Sequence, residues 1–554
     1  MLQYFYAFSV FLALVAGCLA TDPSDYNPQR SNLTPCNCDT IEPTKTTENS
    51  NIGPTDDKLR IRIAEEPPSL LPIIDPVRGT RVITDHDIYE SLVRPAADSK
   101  EVAPELATSW YVADDFRTYI FELDPRAMWH DGTPLTAEDV AFTFSRVLDP
   151  AGGAAIRGEF LEVSDVEAID NETVKFELDA ARPDFLLTLS RVSILPAHVF
   201  GQEPLATHPA ARAPVGSGPF RFQKWNAGRS IVIERNPEWR GAPPRIKTIE
   251  YLIIPHTNVA LQLLDRGEID VVLDLDQSLK LENPDLQILT YPKPEFQYWM
   301  FNTRRPYFST ARLRSAVVML IDRDAIRCSV LACRAEPIES PWPREVSPLL
   351  GFATSRAFDP SGAKEILKKS GWLDSDEDGI LDHKGDPFSF SLLLPNLQND
   401  LVQAATVVQQ DLAALGIQMR ITTFTRGAYT RLLRKRKFDA TVISVPTNNM
   451  YDPWSLFHSE AIGSASNWGG FQSQEIDHLI NRLHREWEPL RRNYLMKKIS
   501  LELLAQHPGN FTFRPFGVAL AQDDIQGIRF ENGALQKNLL YRSPPKNTRQ
   551  KGKK

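Results

Sequence analysis

Asp374, Asp376, Asp378 and Asp382 crowd around Gly379, and alternating carboxylates ahead of a glycine are how a calcium loop begins. The twelfth position counted from Asp374 is Gly385, however, where such a loop needs a bidentate Glu. The cluster therefore reads as a solvated turn after Gly371 and Trp372, and neither a metal nor another cofactor is assigned. The ten histidines are dispersed, and His130, His458 and His478 stand among polar or turn residues where a surface role is the default. No phosphate loop, dinucleotide turn, zinc-protease pair or nucleophile elbow occurs. A secreted hydrolase stays open as an alternative, because a triad is defined by geometry rather than by sequence. The five cysteines, Cys18, Cys36, Cys38, Cys328 and Cys333, are too few and too scattered for a disulfide scaffold or a four-ligand zinc site. A local bridge between Cys328 and Cys333 at a helix end remains open.

The elements that would position such residues need several cores. A length of 554 residues implies about three structural units, and 42% hydrophobic residues suffice for large interiors. A net charge of -9 argues against a nucleic-acid partner. Only residues 2–20 approach membrane-spanning length, which excludes a polytopic permease. That run ends Leu14, Val15, Ala16, Gly17, Cys18 and resembles a bacterial lipoprotein signal. The resemblance implies removal of residues 1–17 and a lipid on Cys18, although no Lys or Arg precedes the run as export signals usually have. An ordinary cleaved signal or a retained anchor are the alternatives, and all three place the body outside the cytoplasm, in the periplasm or at the cell surface. Residues 18–57 read as a disordered tether and 542–554 as a solvated basic tail.

Within the body, residues 59–64 alternate as a half-buried strand before Pro67, Pro68 and Pro72 force a loop. Thr136, three residues ahead of Asp139 and followed by Val140, Phe144 and Val147, predicts a capped amphipathic helix. Residues 174–178 and 230–235 read as half-buried strands and 249–254 as a more buried one. Two passages share one design: a helix over 257–265 feeds a strand over 269–273, and a helix over 428–436 feeds a strand over 438–445. Ser309 is read as the cap of a helix carrying Leu313 and Val317, and another helix spans 401–415, closed by Gly416. The body is expected to be two α/β lobes with an insertion.

An ordered series of motifs runs through it: VAPELATSW at 102–110, WHDGTPLTAEDVAFTF at 129–144, VGSGPF at 215–220, RNPEWRG at 235–241, LDRGEIDV at 264–271, FNTRRPYF at 301–308, LRSAVVMLIDRDAI at 313–326 and GWLDSDEDGILD at 371–382. As a set they resemble the extracellular solute-binding proteins of family 5, the receptors of peptide and nickel ABC importers, over residues 58–541. The resemblance implies a two-lobed periplasmic-binding-protein-like α/β fold, class II and cluster C, with a hinge. It places lobe I at 58–85, 215–293 and 512–541, an inserted domain at 86–214, and lobe II at 294–511. It also implies a monomeric, non-enzymatic receptor that clamps a peptide and hands it to an ABC permease and ATPase complex, held to the membrane by the lipid on Cys18.

Peptide-binding members carry an Asp four residues before the Pro of a D-P or E-P step, where it meets the ligand's amino group. Here that position is Asn449, ahead of Asp452 and Pro453, and Leu71 stands where the first loop commonly has Asp. Three ligand readings follow: a longer or differently anchored peptide, with Arg426 or Asp452 meeting the termini; a neutral or sugar-like solute; or a metal chelate. Tyr451, Trp454 and Trp299 are candidate apolar walls, and Asn302 a candidate polar contact or turn cap. If the cleft accepts an amino terminus, Asn449→Asp strengthens peptide binding; unchanged or weaker affinity in calorimetry counts against that placement.

Overall fold

The computed structural model describes residues 57–96, 102–182, 185–275, 283, 286–342, 357–396, 399–446, 453–463, 466–486, 488–531 and 534–543. The signal and tether expected over 1–17 and 18–57, with Cys18, Cys36 and Cys38, thus lie almost wholly outside the described residues, as does most of the basic tail. In chain order the elements used below are β1 Lys58–Ile63, α1 Arg78–Thr84, β2 Ala107–Val112, β3 Thr118–Leu123, α2 Ala137–Leu148, β4 Val163–Ala168, β5 Thr173–Leu178, β6 Phe220–Asn226, β7 Ser230–Arg235, β8 Thr248–Ile253, α3 Thr257–Asp265, β9 Val271–Leu275, β10 Leu286–Pro292 and β11 Glu295–Phe301. They continue with α4 Ala311–Val318, β12 Ser389–Pro395, α5 Asn399–Ala413, β13 Gln418–Phe424, α6 Arg426–Arg434, β14 Ala440–Pro446 and β15 Phe513–Gln522. Among the described residues no helix is long and apolar enough to cross a membrane.

The chain divides into two compact units. Among the described residues the larger lies within 57–299, 334–342 and 443–543. Its main sheet runs β10-β15-β9-β1-β8-β7-β6, with a short strand at Ala335–Pro337 also on β15. β1 is parallel to β8 and β9, whereas β15 inserts antiparallel between β9 and β10. Leu59, Ile61 and Ile63 point alternately into the core, which is the pattern the sequence predicts for β1. A second sheet, β2-β3-β5-β4, packs beside α2. There Phe144 meets the edge of Phe176 at 4.8 Å, and Phe176 meets Phe121 at 5.6 Å. The capping box forms as expected, with the Thr136 amide donating to Asp139 Oδ2 at 3.0 Å.

Three motifs converge on one buried junction within this unit. Gly216 and Gly218 lie so close to the 87–88 backbone that a Cβ would stand 1.9 Å from the Ile88 carbonyl oxygen and 2.2 Å from that of Asp87. The Gly218 and Phe220 amides donate to the Ile88 and Asp87 carbonyls at 3.0 and 2.9 Å, so these glycines admit a backbone-to-backbone seam. Arg240 of RNPEWRG seals the next stretch, donating to both carboxylate oxygens of Glu90 at 2.7 and 2.9 Å and to the Glu105 carbonyl at 2.8 Å. Both partners are buried, so the pair holds only because its geometry is bidentate and its remaining donors are satisfied. Burial raises the Glu90 pKa, and Arg240 opposes that rise. Asp87 is itself paired with buried Lys537, which ties the C-terminal region to the same seam.

The smaller unit lies, among the described residues, within 300–333 and 357–442. Its strands β13, β12 and β14 are parallel with β12 in the middle. Leu401, Ala405, Val408 and Leu412 of α5 are buried as the spacing predicts, and Gly416 follows with φ +76. Two expectations are corrected. The cap of α4 is Thr310, whose hydroxyl oxygen accepts from the Leu313 amide, while the Ser309 hydroxyl turns back to the Pro306 carbonyl because 306–308 already form a helical turn. Cys333 is disulfide-bonded and Cys328 keeps its thiol, so the local bridge left open by the sequence is not made.

Gly216→Ala is expected to cost at least about 3 kcal/mol, because the seam cannot admit a methyl group without separating two hydrogen-bonded backbones. Denaturant titration checks this, and a loss under about 1 kcal/mol would show that the seam is plastic.

Candidate functional site

In parallel α/β sheets, ligands meet the carboxyl ends of the strands, where loops and helix N-termini leave the sheet. In the smaller unit those ends include Pro395 and Phe424. Arg426 opens α6 one residue after Thr425 leaves β13; its carbonyl accepts from the Thr430 hydroxyl, while its exposed guanidinium has no hydrogen-bond or acidic partner among the described residues. Phe424, at the end of β13, is 38% exposed. The Tyr429 hydroxyl locks α6 to the sheet through Thr441 Oγ1 at 2.9 Å and the Val442 carbonyl at 2.8 Å, while burial pushes its pKa up to about 12. The segment carrying Asn449, Tyr451 and Asp452 follows β14 directly and lies outside the described residues.

Asn302 is placed at the opposite, amino end of this sheet. Its amide donates to the Phe438 carbonyl at 2.7 Å, its carbonyl oxygen accepts from the Arg304 backbone and guanidinium, and its own amide N–H donates to the Asp439 carbonyl. These bonds hold the turn ahead of β14. Asp439 accepts from the backbone and hydroxyl of Ser391 on β12, fixing the register of the central strand.

In the larger unit Trp299 is 5% exposed and lies in the interior, with the Gly509 Cα so near that a Cβ would be 2.1 Å from its carbonyl oxygen. Trp454 is half-buried in the one-turn helix Trp454–Phe457 and stacks on His458 at 5.6 Å and 23°. Leu71 is fully buried, so that loop position serves packing. A polar group that the sequence reading missed lies at the carboxyl end of β9. Asp274 has φ +58, accepts from the Tyr291 hydroxyl at 2.7 Å, and pairs with Arg78, whose side chain is 55% exposed. Burial and then the Asp274 charge raise the Tyr291 pKa well above the ordinary phenol value. Arg62 completes the edge by donating to the Ile254 and Pro255 carbonyls beyond β8. An aspartate near the end of an apolar strand, in a conformation that non-glycine residues rarely adopt, was the available signal.

His130 belongs to the glycine seam. Its Nε2–H donates to the Gly218 carbonyl at 3.0 Å and its Nδ1 accepts from the Gly216 amide at 3.2 Å, an arrangement only the neutral ring can make. Burial lowers its pKa to about 4, against a smaller upward pull from the Gly218 carbonyl. In the acidic turn, the carboxylates of Asp374, Asp376 and Asp378 are exposed, with ligand atoms within 4.8 Å of one another. Each accepts from a backbone N–H of its own turn, at Gly379, Asp378 and Ile380 respectively.

Residues 101–467 match the profile of the family described as bacterial extracellular solute-binding proteins, family 5 Middle. The chain is 25% identical over 458 residues to the oligopeptide-binding protein AppA of Bacillus subtilis, covering 79% of this chain and 83% of that protein. It is 27% identical over 444 residues to the probable D,D-dipeptide-binding periplasmic protein DdpA of Escherichia coli, covering 76% and 82%. Among solved structures, NikA of Brucella suis, in complex with Fe(III)-EDTA, superposes with a TM-score of 0.78 at 21% identity over 88% of this chain and 100% of that one. That likeness shows the fold.

The His130 geometry sets a sign for acid sensitivity. A folded pKa of about 4 below an ordinary 6.5 means that its stabilisation is present above about pH 6.5 and is lost as pH falls toward 4. His130→Asn is expected to lower stability by about 1–3 kcal/mol at pH 8, with the gap to wild type narrowing between pH 6.5 and 4 in thermal melts. Parallel curves across that window would remove His130 from the acid response.

Proposed function

This chain belongs to the bacterial extracellular solute-binding proteins of family 5, and from that premise we propose that its ligand is a peptide, released unaltered to a membrane permease. Proteins of this family are substrate-binding receptors that work with an ABC permease and ATPase outside the cytoplasm, and the chain is a receptor rather than an enzyme. The observation that carries the peptide reading is the run of matches, over about three quarters of the chain, to proteins named for binding oligopeptides and dipeptides.

In this reading Arg426 meets a ligand carboxylate. An exposed guanidinium with no side-chain partner among the described residues can take a bidentate one from the ligand. Tyr451 and Trp454 are kept as apolar candidates and Asp452 as a charged one, and Asn449 offers an amide where a charge would fix an amino terminus. In the same reading Trp299 serves packing within the larger unit and Asn302 holds the turn ahead of β14. The receptor acts as a monomer, and a lipid on Cys18 keeps it at the membrane.

A metal-chelate reading draws on the uncharged Asn449, which removes the group that would select an amino terminus. Mass spectrometry of whatever co-purifies with the native protein separates the readings, since a peptide mixture supports the first and a chelate overturns it. With a bound peptide identified, Arg426→Glu is expected to weaken binding by at least tenfold in calorimetry, the loss of a charge-assisted pair, with little change in melting temperature. Unchanged affinity would remove Arg426 from the site.

A further inference from the structure

We propose that the solvent face of α6 is an electrostatic docking surface for an anionic lipid bilayer. α6 turns Tyr429 and Leu433 into the core and leaves Arg426, Gly427, Thr430, Arg431, Arg434 and Lys435 lining a shallow open groove. Positions 426, 430 and 434, and 427, 431 and 435, are each four apart, so the groove is one continuous stripe along the helix. Its four cations are exposed, and none has an acidic partner among the described residues. From Asp411 to Asp439 the chain carries Arg420, Arg426, Arg431, Arg434, Lys435, Arg436 and Lys437 with no Asp or Glu between, although acidic residues outnumber basic ones 71 to 62 overall. The cluster continues past the helix, where the Arg304 guanidinium donates to the Arg436 carbonyl at 3.3 Å. Burial first, and then the neighbouring charges of Arg436 and Arg305, lower the Arg304 pKa, as expected of a concentrated positive field.

The helix dipole does not account for this arrangement. Cations near a helix C-terminus are favoured, which suits Arg434 and Lys435, but Arg426 stands at the N-terminus, where the dipole disfavours it. Ligand binding accounts for one end alone, since only Arg426 lies at the carboxyl edge of the sheet and the stripe then runs along the outward side of α6 toward the amino edge. No aromatic or large apolar side chain lines the groove, so it lacks the buried anchor that a protein partner needs. Diffuse charge is sufficient for a bilayer, where each Lys or Arg near an anionic surface adds about fivefold in affinity. On the proposed reading of a lipid at Cys18 the body stands next to such a surface, so that weak sites act at high effective concentration.

The test uses the full chain with vesicles of phosphatidylcholine alone and of phosphatidylcholine with phosphatidylglycerol, followed by co-sedimentation at low and high salt. Neutral vesicles report whatever the N-terminal run contributes by itself. Partition onto the anionic vesicles is expected to exceed that onto neutral ones by tenfold or more at low salt, and the excess to vanish at high salt. The triple variant Arg431→Glu, Arg434→Glu, Lys435→Glu should lose the excess at the cost of a small drop in melting temperature, and the corresponding Gln variant should lose part of it, both with unchanged ligand affinity. No excess on anionic vesicles overturns the proposal, as does an excess that survives in the triple variant. Binding to soluble polyglutamate without binding to the vesicles also overturns it, in favour of an acidic protein partner. None of these outcomes bears on the identity of the transported ligand.

Discussion

The fold of the larger unit depends on a seam where two backbones touch without side chains between them. Residues 87–88 and 216–218 approach so closely that only glycine is admitted, and around that contact the carboxylates of Asp87 and Glu90 are withdrawn from water. Withdrawn charges require partners, and each has one: Lys537 for Asp87 and Arg240 for Glu90. The aromatic and imidazole groups of the WHDG motif close the same region. Trp129 donates to Asp139, whose other oxygen holds the Ala197 amide, while His130 bridges the two glycines. Motifs separated by a hundred residues in sequence are thus parts of one piece of packing.

This explains why the strongest sequence signals were legible as family marks and silent about ligand. The glycines, the Arg240–Glu90 pair and the neutral His130 satisfy internal demands that any ligand specificity must leave intact. Periodicity gave α2, α3 and β1 with their buried faces, because each packs one stripe or alternate residues against a single core. It misjudged relative burial in the main sheet. The isoleucine-rich β8 buries only Ile249 and Tyr251, whereas β7 buries four residues in succession, since cover on both faces is a tertiary property that no local pattern contains.

The site was legible in part. Arg426, singled out in the sequence, lies at a strand's carboxyl end, while Asn302, equally polar, is occupied by its own turn at the other end of the same sheet. Nothing in the spacing of residue types distinguishes an amide that holds a turn from one that waits for a ligand. The Arg78, Asp274 and Tyr291 group escaped notice because its members are brought together by α1, β9 and β10 from three distant stretches.

The order of the main sheet also bears on how the chain is made. β1 pairs with β9 through Ile61 and Val271, and β9 pairs with β15 through Val271 and Ala521, so the centre of the sheet closes only after residue 521 has been synthesised. Contacts of such sequence separation form slowly. The second sheet with α2 is complete by residue 178, so the two layers of the larger unit can form at different times, the local one first and the main sheet last.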